Sequence, residues 1–184
     1  MERRHFLKAC LGGLASLDFF SLMSKKESLF EGAERKGKKT DVAVKVLGTA
    51  QDGGVPQMGC YCRNCLTARK DKRFVRLASS LAVLDMSEKK LFVIDAGPDL
   101  PVQFDSAFKK LALVKQGSKN SPDAVLLTHA HVGHYTGLMY FGYEVMSTDK
   151  LPVYCTSRMA AFLRENGPWS QLVKLENISL NIIS

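Results

Sequence analysis

The chain has 184 residues, enough for one ordinary domain or a little less. Apolar residues make up 46% and charged residues 24%, which excludes a disordered polymer. The formal charge is +8, but nine Lys/Arg and five Asp/Glu fall in residues 1–40 and seventeen and thirteen in the rest, so half the excess sits on an N-terminal extension and no nucleic-acid partner is expected.

Arg3 and Arg4, then Phe6, Leu7 and Lys8, stand ahead of a weakly apolar stretch from Ala9 to about Met23. Paired arginines before a short apolar segment are an address read by an export receptor. RRHFLK resembles the consensus of twin-arginine signal peptides. That resemblance implies export of an already folded protein by the twin-arginine machinery, to the periplasm or another extracytoplasmic space. Asp18 and the lack of a clean A-x-A site depart from the pattern, and an amphipathic first helix is the alternative. The stretch is too short and interrupted to span a membrane stably. Cys10 lies at the start of the apolar stretch and not after it, which argues against a lipid-anchored cysteine. Residues 24–40 are Lys/Glu/Gly-rich and read as a linker, leaving 41–184 as the domain.

In that domain VAVKVLG (42–48) alternates and is β-branched, which predicts a strand, and TAQDGGVP (49–56) a loop. RKDKR (69–73) is the one dense basic run and reads as a solvated face. Residues 79–86 and 90–96 form a hairpin across Ser87 to Lys89. Residues 99–117 carry a helical stripe of Phe104, Phe108, Leu111 and Ala112, with Gly117 as its stop. A buried strand at 123–129, a helix at 135–146 and a strand at 151–156 follow. A helix at 157–166, N-capped by Ser157 and closed by Gly167 and Pro168, leads to a last strand at 178–184. The aromatic and Met positions of 139–146 and 158–166 are core, and Trp169 is placed at the edge of the site. A hairpin followed by β–α–β units argues for a layered α/β domain.

THAHVGHYTGL (128–138) holds three of the four histidines. Residues two apart on an extended chain point the same way, ~6.6 Å apart, so His129 and His131 can converge on one ion. His134 falls at the start of the following helix, whose partial positive charge and free N–H groups suit a small anionic substrate. Cys60, Cys62 and Cys65 form C-x-C-x-x-C, a chelate for a soft tetrahedral ion, zinc being the usual one. Cys155 or water is left to complete it. A disulfide is the alternative in an exported protein, at the cost of an unpaired third cysteine and a strained C-x-C bridge.

THAHVGHYTGL resembles the His-x-His-x-Asp-His signature of the metallo-β-lactamase superfamily, and LFVIDAGPD (91–99) its strand ending in Asp-x-Gly. VLGTAQDGGVPQMGCYCRNC with SSLAVLD is similar to the branch of PQQ synthesis proteins of type B and related phosphodiesterases. The resemblance covers about residues 42–184 and implies an αββα sandwich with its metal site at one rim. It implies His129 and His131 as ligands of a first metal, His134 of a second, Asp95 as an orienting group behind them, and structural zinc on the cysteines. Gly133 stands where the family has an aspartate, so the second metal is expected to be weak, absent, or held by another group such as Asp52. No histidine follows His134, and the later ligands of the family are missing, so an incomplete sandwich with an exposed apolar face is expected. The function implied is an exported metallohydrolase, with metal-activated water attacking a phosphoester, lactone or similar electrophile. The alternatives are a role in making or handling PQQ, and a non-catalytic zinc-stabilised module.

Overall fold

The computed structural model describes residues 41–111 and 120–183, so the segments expected to be a leader and a linker lie outside the described residues. Six strands form one sheet in the order β1 (Val42–Gly48), β2 (Ser80–Asp85), β3 (Lys90–Ile94), β4 (Ala124–Leu126), β5 (Leu151–Cys155) and β6 (Ile178–Ile182). The first three are antiparallel, and β3 to β6 run parallel. The hairpin between β2 and β3 closes as the sequence predicts. Asp85 Oδ1 accepts from Ser87 Oγ at 2.6 Å and from the Ser87 and Glu88 N–H groups at 3.0 Å, while Lys89 takes a positive φ of 54°.

Among the described residues four α-helices accompany the sheet: α1 (Arg63–Lys70), α2 (Leu100–Leu111), α3 (Ser157–Glu165) and α4 (Trp169–Lys174). Parallel neighbours need crossovers, and right-handed crossovers that always step to the same side lay their segments on one sheet face. The burial pattern records this. Leu47, Ala82, Leu84 and Leu91 are buried with Ala107 and Phe108 of α2. Val93, Val125, Leu127, Val153, Cys155 and Ile178 are buried with Leu138, Phe141, Met159, Leu163 and Leu172. On the opposite face Val42, Val44 and Val46 are more than half exposed, and Leu81, Val83, Phe92 and Ile94 are half-buried. This is the layered α/β arrangement expected, with one sheet among the described residues.

Three local expectations need correction. The segment 135–146 is not an α-helix but a 3-10 segment, Thr136–Phe141, followed by turns. Gly137 abuts the β3 exit so closely that a Cβ there would lie 2.2 Å from the Gly97 carbonyl oxygen, and its N–H donates to Ala96 O at 2.8 Å. That contact and Gly142 break the α period after one tight turn. The N-cap of α3 is Thr156 rather than Ser157, its Oγ1 accepting from Met159 N at 3.4 Å. Two helices, α1 and α4, lie where none was predicted. The expected helix stop at Gly117 lies outside the described residues.

Candidate metal centre

The three histidines lie beyond the C-terminal end of β4, where the chain leaves the sheet, and a buried carboxylate organises them. Asp95 follows β3 with a positive φ of 63°, a left-handed conformation that Asp tolerates better than most residues. The turn aims its side chain across to the β4 exit. Its Oδ1 accepts from Thr128 N at 2.9 Å, and its Oδ2 from Thr128 Oγ1 at 2.7 Å and from His134 Nδ1 at 2.8 Å.

These bonds fix which ring nitrogens carry protons. An ionised carboxylate only accepts, so Thr128 Oγ1 spends its one proton on Asp95. His129 Nδ1, 2.9 Å from the same oxygen, must then be the donor, which leaves His129 Nε2 with a free lone pair. The same reasoning puts a proton on His134 Nδ1 and a lone pair on its Nε2. His129 Nε2 lies 3.0 Å from His131 Nδ1. Bonds of about 2.0–2.1 Å from each nitrogen to one ion span that gap, so the imidazole pair fits a zinc-class cation.

His134 faces elsewhere. Its ring lies tilted by 51° to that of His129, with centroids 4.0 Å apart, but its Nε2 is 3.6 Å from Asp52 Oδ1. The structure thus brings His129 and His131 together as one pair and sets His134 with Asp52 as an adjoining pair. The helix N-terminus expected to bind an anion is absent. The segment is too short, and the Tyr135, Gly137 and Leu138 N–H groups already donate to Val132, Ala96 and Tyr135 carbonyls. Trp169 packs against Tyr135 and Phe162 at ring distances of 4.9 and 5.7 Å, in the aromatic core behind His134. Thr128 is the residue that sequence reading missed. Its signal was its position, directly before the first histidine.

Cys60, Cys62 and Cys65 place their sulfurs within 4.8 Å of one another, and all are free thiols, so the disulfide alternative is not adopted. The dipeptide Arg63–Asn64 starts α1 and turns Cys65 back under the loop. Arg69 pins that loop by donating to Gln57 O at 2.9 Å and to Cys60 O, with its guanidinium 5.0 Å over the Tyr61 ring. The Cys65 N–H and the Cys60 thiol draw the Cys62 pKa down to about 7. The Gln57 N–H bond pulls Cys65 downward, but burial and its two thiol neighbours together outweigh it and the pKa rises. A thiolate beside two thiols is a donor set that fits zinc. Cys155 is buried on β5 within the sheet core, and burial raises its pKa. The basic run 69–73 is no stripe: Arg69 serves the cysteine loop, and Arg73 is held by Asp71 at 2.6 Å.

Residues 90–183 match the beta-lactamase superfamily domain. The chain is 31% identical over 127 residues to coenzyme PQQ synthesis protein B of Pseudomonas paraeruginosa, covering 68% of this chain and 40% of that protein. It is 34% identical over 130 residues to the protein of the same name from Rhodopseudomonas palustris, covering 70% and 40%. Among solved structures it is similar to Zn2+-bound PqqB from Methylobacterium extorquens, with TM-score 0.63, 28% identity and coverage of 77% of this chain and 46% of that one. A diphosphatase of the PhnP family shares the fold, with TM-score 0.56, 24% identity and coverage of 78% and 50%. The chain spans two fifths to half of the length of these relatives. A strand exit organised by a buried aspartate, an imidazole pair spaced for one ion and a match across half of the sequence converge on one assignment: the chain belongs to the metallo-β-lactamase superfamily.

Proposed function

We propose that this chain carries the imidazole part of a metal-dependent hydrolase site that acts, outside the cytoplasm, on a small anionic phosphoester or a lactone. The observation that carries the reading is the 3.0 Å approach of His129 Nε2 to His131 Nδ1, with the His129 lone pair freed by the Asp95–Thr128 relay. When bound, a zinc-class ion supplies Lewis acidity, which makes water a nucleophile at neutral pH and offsets charge developing on the electrophile. His129 and His131 hold the ion, Asp95 keeps the rings in register, and Cys60, Cys62 and Cys65 hold a separate structural zinc. His129 also lines a hollow of roughly 480 Å3 together with Leu127, Thr156, Arg158 and Phe162. Arg158 at its wall suits the anionic group of the substrate. The paired Arg3 and Arg4 of RRHFLK support export after folding and metal loading.

The purified chain, loaded with zinc, is assayed on a panel of phosphodiesters, phosphomonoesters and lactones beside His131→Ala. Turnover that falls by roughly 100-fold or more in the variant is the expected result. Equal, negligible turnover in both would remove the hydrolase and leave the zinc-stabilised module. A second reading, making or handling PQQ, is supported by the names of the relatives at 31% and 34% identity. Protection of the folded chain against heat by PQQ, without hydrolysis of any panel member, would favour it.

A further inference from the structure

Gly133 lacks the carboxylate that would complete the histidine motif, yet a carboxylate already fills its place. A Cβ built on Gly133 would lie 2.3 Å from Asp52 Cβ, 2.4 Å from its Cγ and 2.6 Å from its Cα. Asp52 occupies the volume that a side chain at 133 would need, and Gly133 is glycine because Asp52 is there. The placement is built rather than incidental. Asp52 sits in a turn closed by Gly54 N donating to Gln51 O at 2.8 Å. Both flanks of that turn are tied to the 75–79 segment: Ala50 N to Leu77 O, Ser79 N to Ala50 O, and Val55 and Arg76 to each other, all at 2.7–2.9 Å. Asp52 Oδ2 accepts from Gly133 N at 3.2 Å.

The other oxygen faces His134. Asp95 holds the Nδ1 of that ring at 2.8 Å, and its Nε2 lies 3.6 Å from Asp52 Oδ1. The gap exceeds a hydrogen bond of about 2.7–3.2 Å. Two bonds of about 2.0–2.2 Å to a shared ion reach across it. We infer that Asp52 supplies the anionic oxygen that position 133 lacks, so that Asp52 and His134 hold a second divalent cation beside the His129–His131 position. The inference rests on the metal-site reading above and extends it from one ion to two, through a residue 81 positions away in the chain.

Mn2+ tests it, because a hard ion favours imidazole and carboxylate over the thiolates of the cysteine cluster. Binding to the full chain is followed by electron paramagnetic resonance for the wild type, Asp52→Asn, Gly133→Ala and His131→Ala. Asparagine keeps the volume and can still accept from Gly133 N–H, so it removes the charge alone. The expected result is two classes of Mn2+ in the wild type, with one weakened by about tenfold or more in Asp52→Asn while the other is unchanged. Gly133→Ala, which pushes Asp52 away, should weaken the same class. Melting of the metal-free variants within a few degrees of wild type verifies that they fold. Identical titrations for wild type and Asp52→Asn, with His131→Ala impaired, would overturn the Asp52 assignment alone. Titrations unchanged by His131→Ala as well would overturn the metal-site reading, and the Asp52 assignment with it.

Discussion

Asp95 shows how much of the site is carried by one side chain. It accepts three hydrogen bonds across two strand exits and thereby favours one tautomer in each of the His129 and His134 rings. Its own backbone sits at φ 63°, so the residue must tolerate the left-handed region as well as supply the carboxylate. Asparagine meets the first demand and fails the second. Its amide group donates, and opposes the Thr128 N–H in one orientation or both the Thr128 hydroxyl and the His134 Nδ1 proton in the other. Asp95→Asn should therefore leave the chain folded but less stable by about 1–3 kcal/mol, the cost of an unpaired buried donor, measured by urea unfolding. Divalent-ion affinity at the imidazole pair, measured with Mn2+, should fall about 10–100-fold because His129 loses its fixed tautomer. Unchanged affinity would mean that Thr128 and His134 need no carboxylate to orient them. The histidine and cysteine spacings were legible in the sequence because they are local, and Asp95 as support for the histidines was implied by the family resemblance. Asp52 is named there only as one possible stand-in for the aspartate missing at 133; its close fit against the Gly133 backbone was not legible, since it depends on tertiary contact between positions 81 apart.

Elements were legible where side-chain period and burial agree. Strands β1, β2 and β3 alternate along their length, and the structure places them within a residue or two of the prediction. The 136–141 segment misled because Leu138 and Phe141, both fully buried, are three apart, a spacing that α and 3-10 turns share. What decides between them is the backbone contact of Gly137 with Gly97, a tertiary feature. Phe141 anchors that segment beneath the histidines. Phe141→Ala should cost about 3–5 kcal/mol, seen as a lowered urea midpoint, because a tight 3-10 turn cannot collapse into the cavity. The α1 element was missed because its hydrophobic stripe is weak. Its order comes from the cysteine loop and Arg69 instead. Alkylation should report this element. In the metal-free protein Cys62 should react fastest of the described cysteines, with a rate rising through about pH 7 as its thiolate forms, and buried Cys155 slowest. The lowered pKa means that protons compete with zinc mainly below about pH 7, so zinc protection of Cys62 should be complete at pH 8 and lost on acidification. Equal labelling with and without zinc at pH 8 would exclude a metal on the three thiols.

The topology of the whole sheet also makes a claim. With β3 to β6 added in order on one side, all crossovers cover one face, and the other face keeps its apolar residues half-exposed or exposed. Among the described residues no helix is long and apolar enough to cross a membrane. Adjacent positions of β1 sample both environments. Leu47 is 8% exposed against α2, while Val44 and Val46 are 63% and 59% exposed. Strand parity therefore predicts opposite outcomes for like substitutions. Leu47→Lys buries an unpaired charge and should cost about 3 kcal/mol or more, enough to leave much of the chain unfolded. The double variant Val44→Lys with Val46→Lys should shift stability by no more than about 1 kcal/mol, because each site is worth roughly 0.5 kcal/mol. The same variant should bind less of a hydrophobic dye and scatter less light, since it breaks up an exposed apolar patch and charges an edge strand. If the double variant proved as damaging as Leu47→Lys, the valine face would be covered in solution, and the one-sided layering described for this sheet would be wrong.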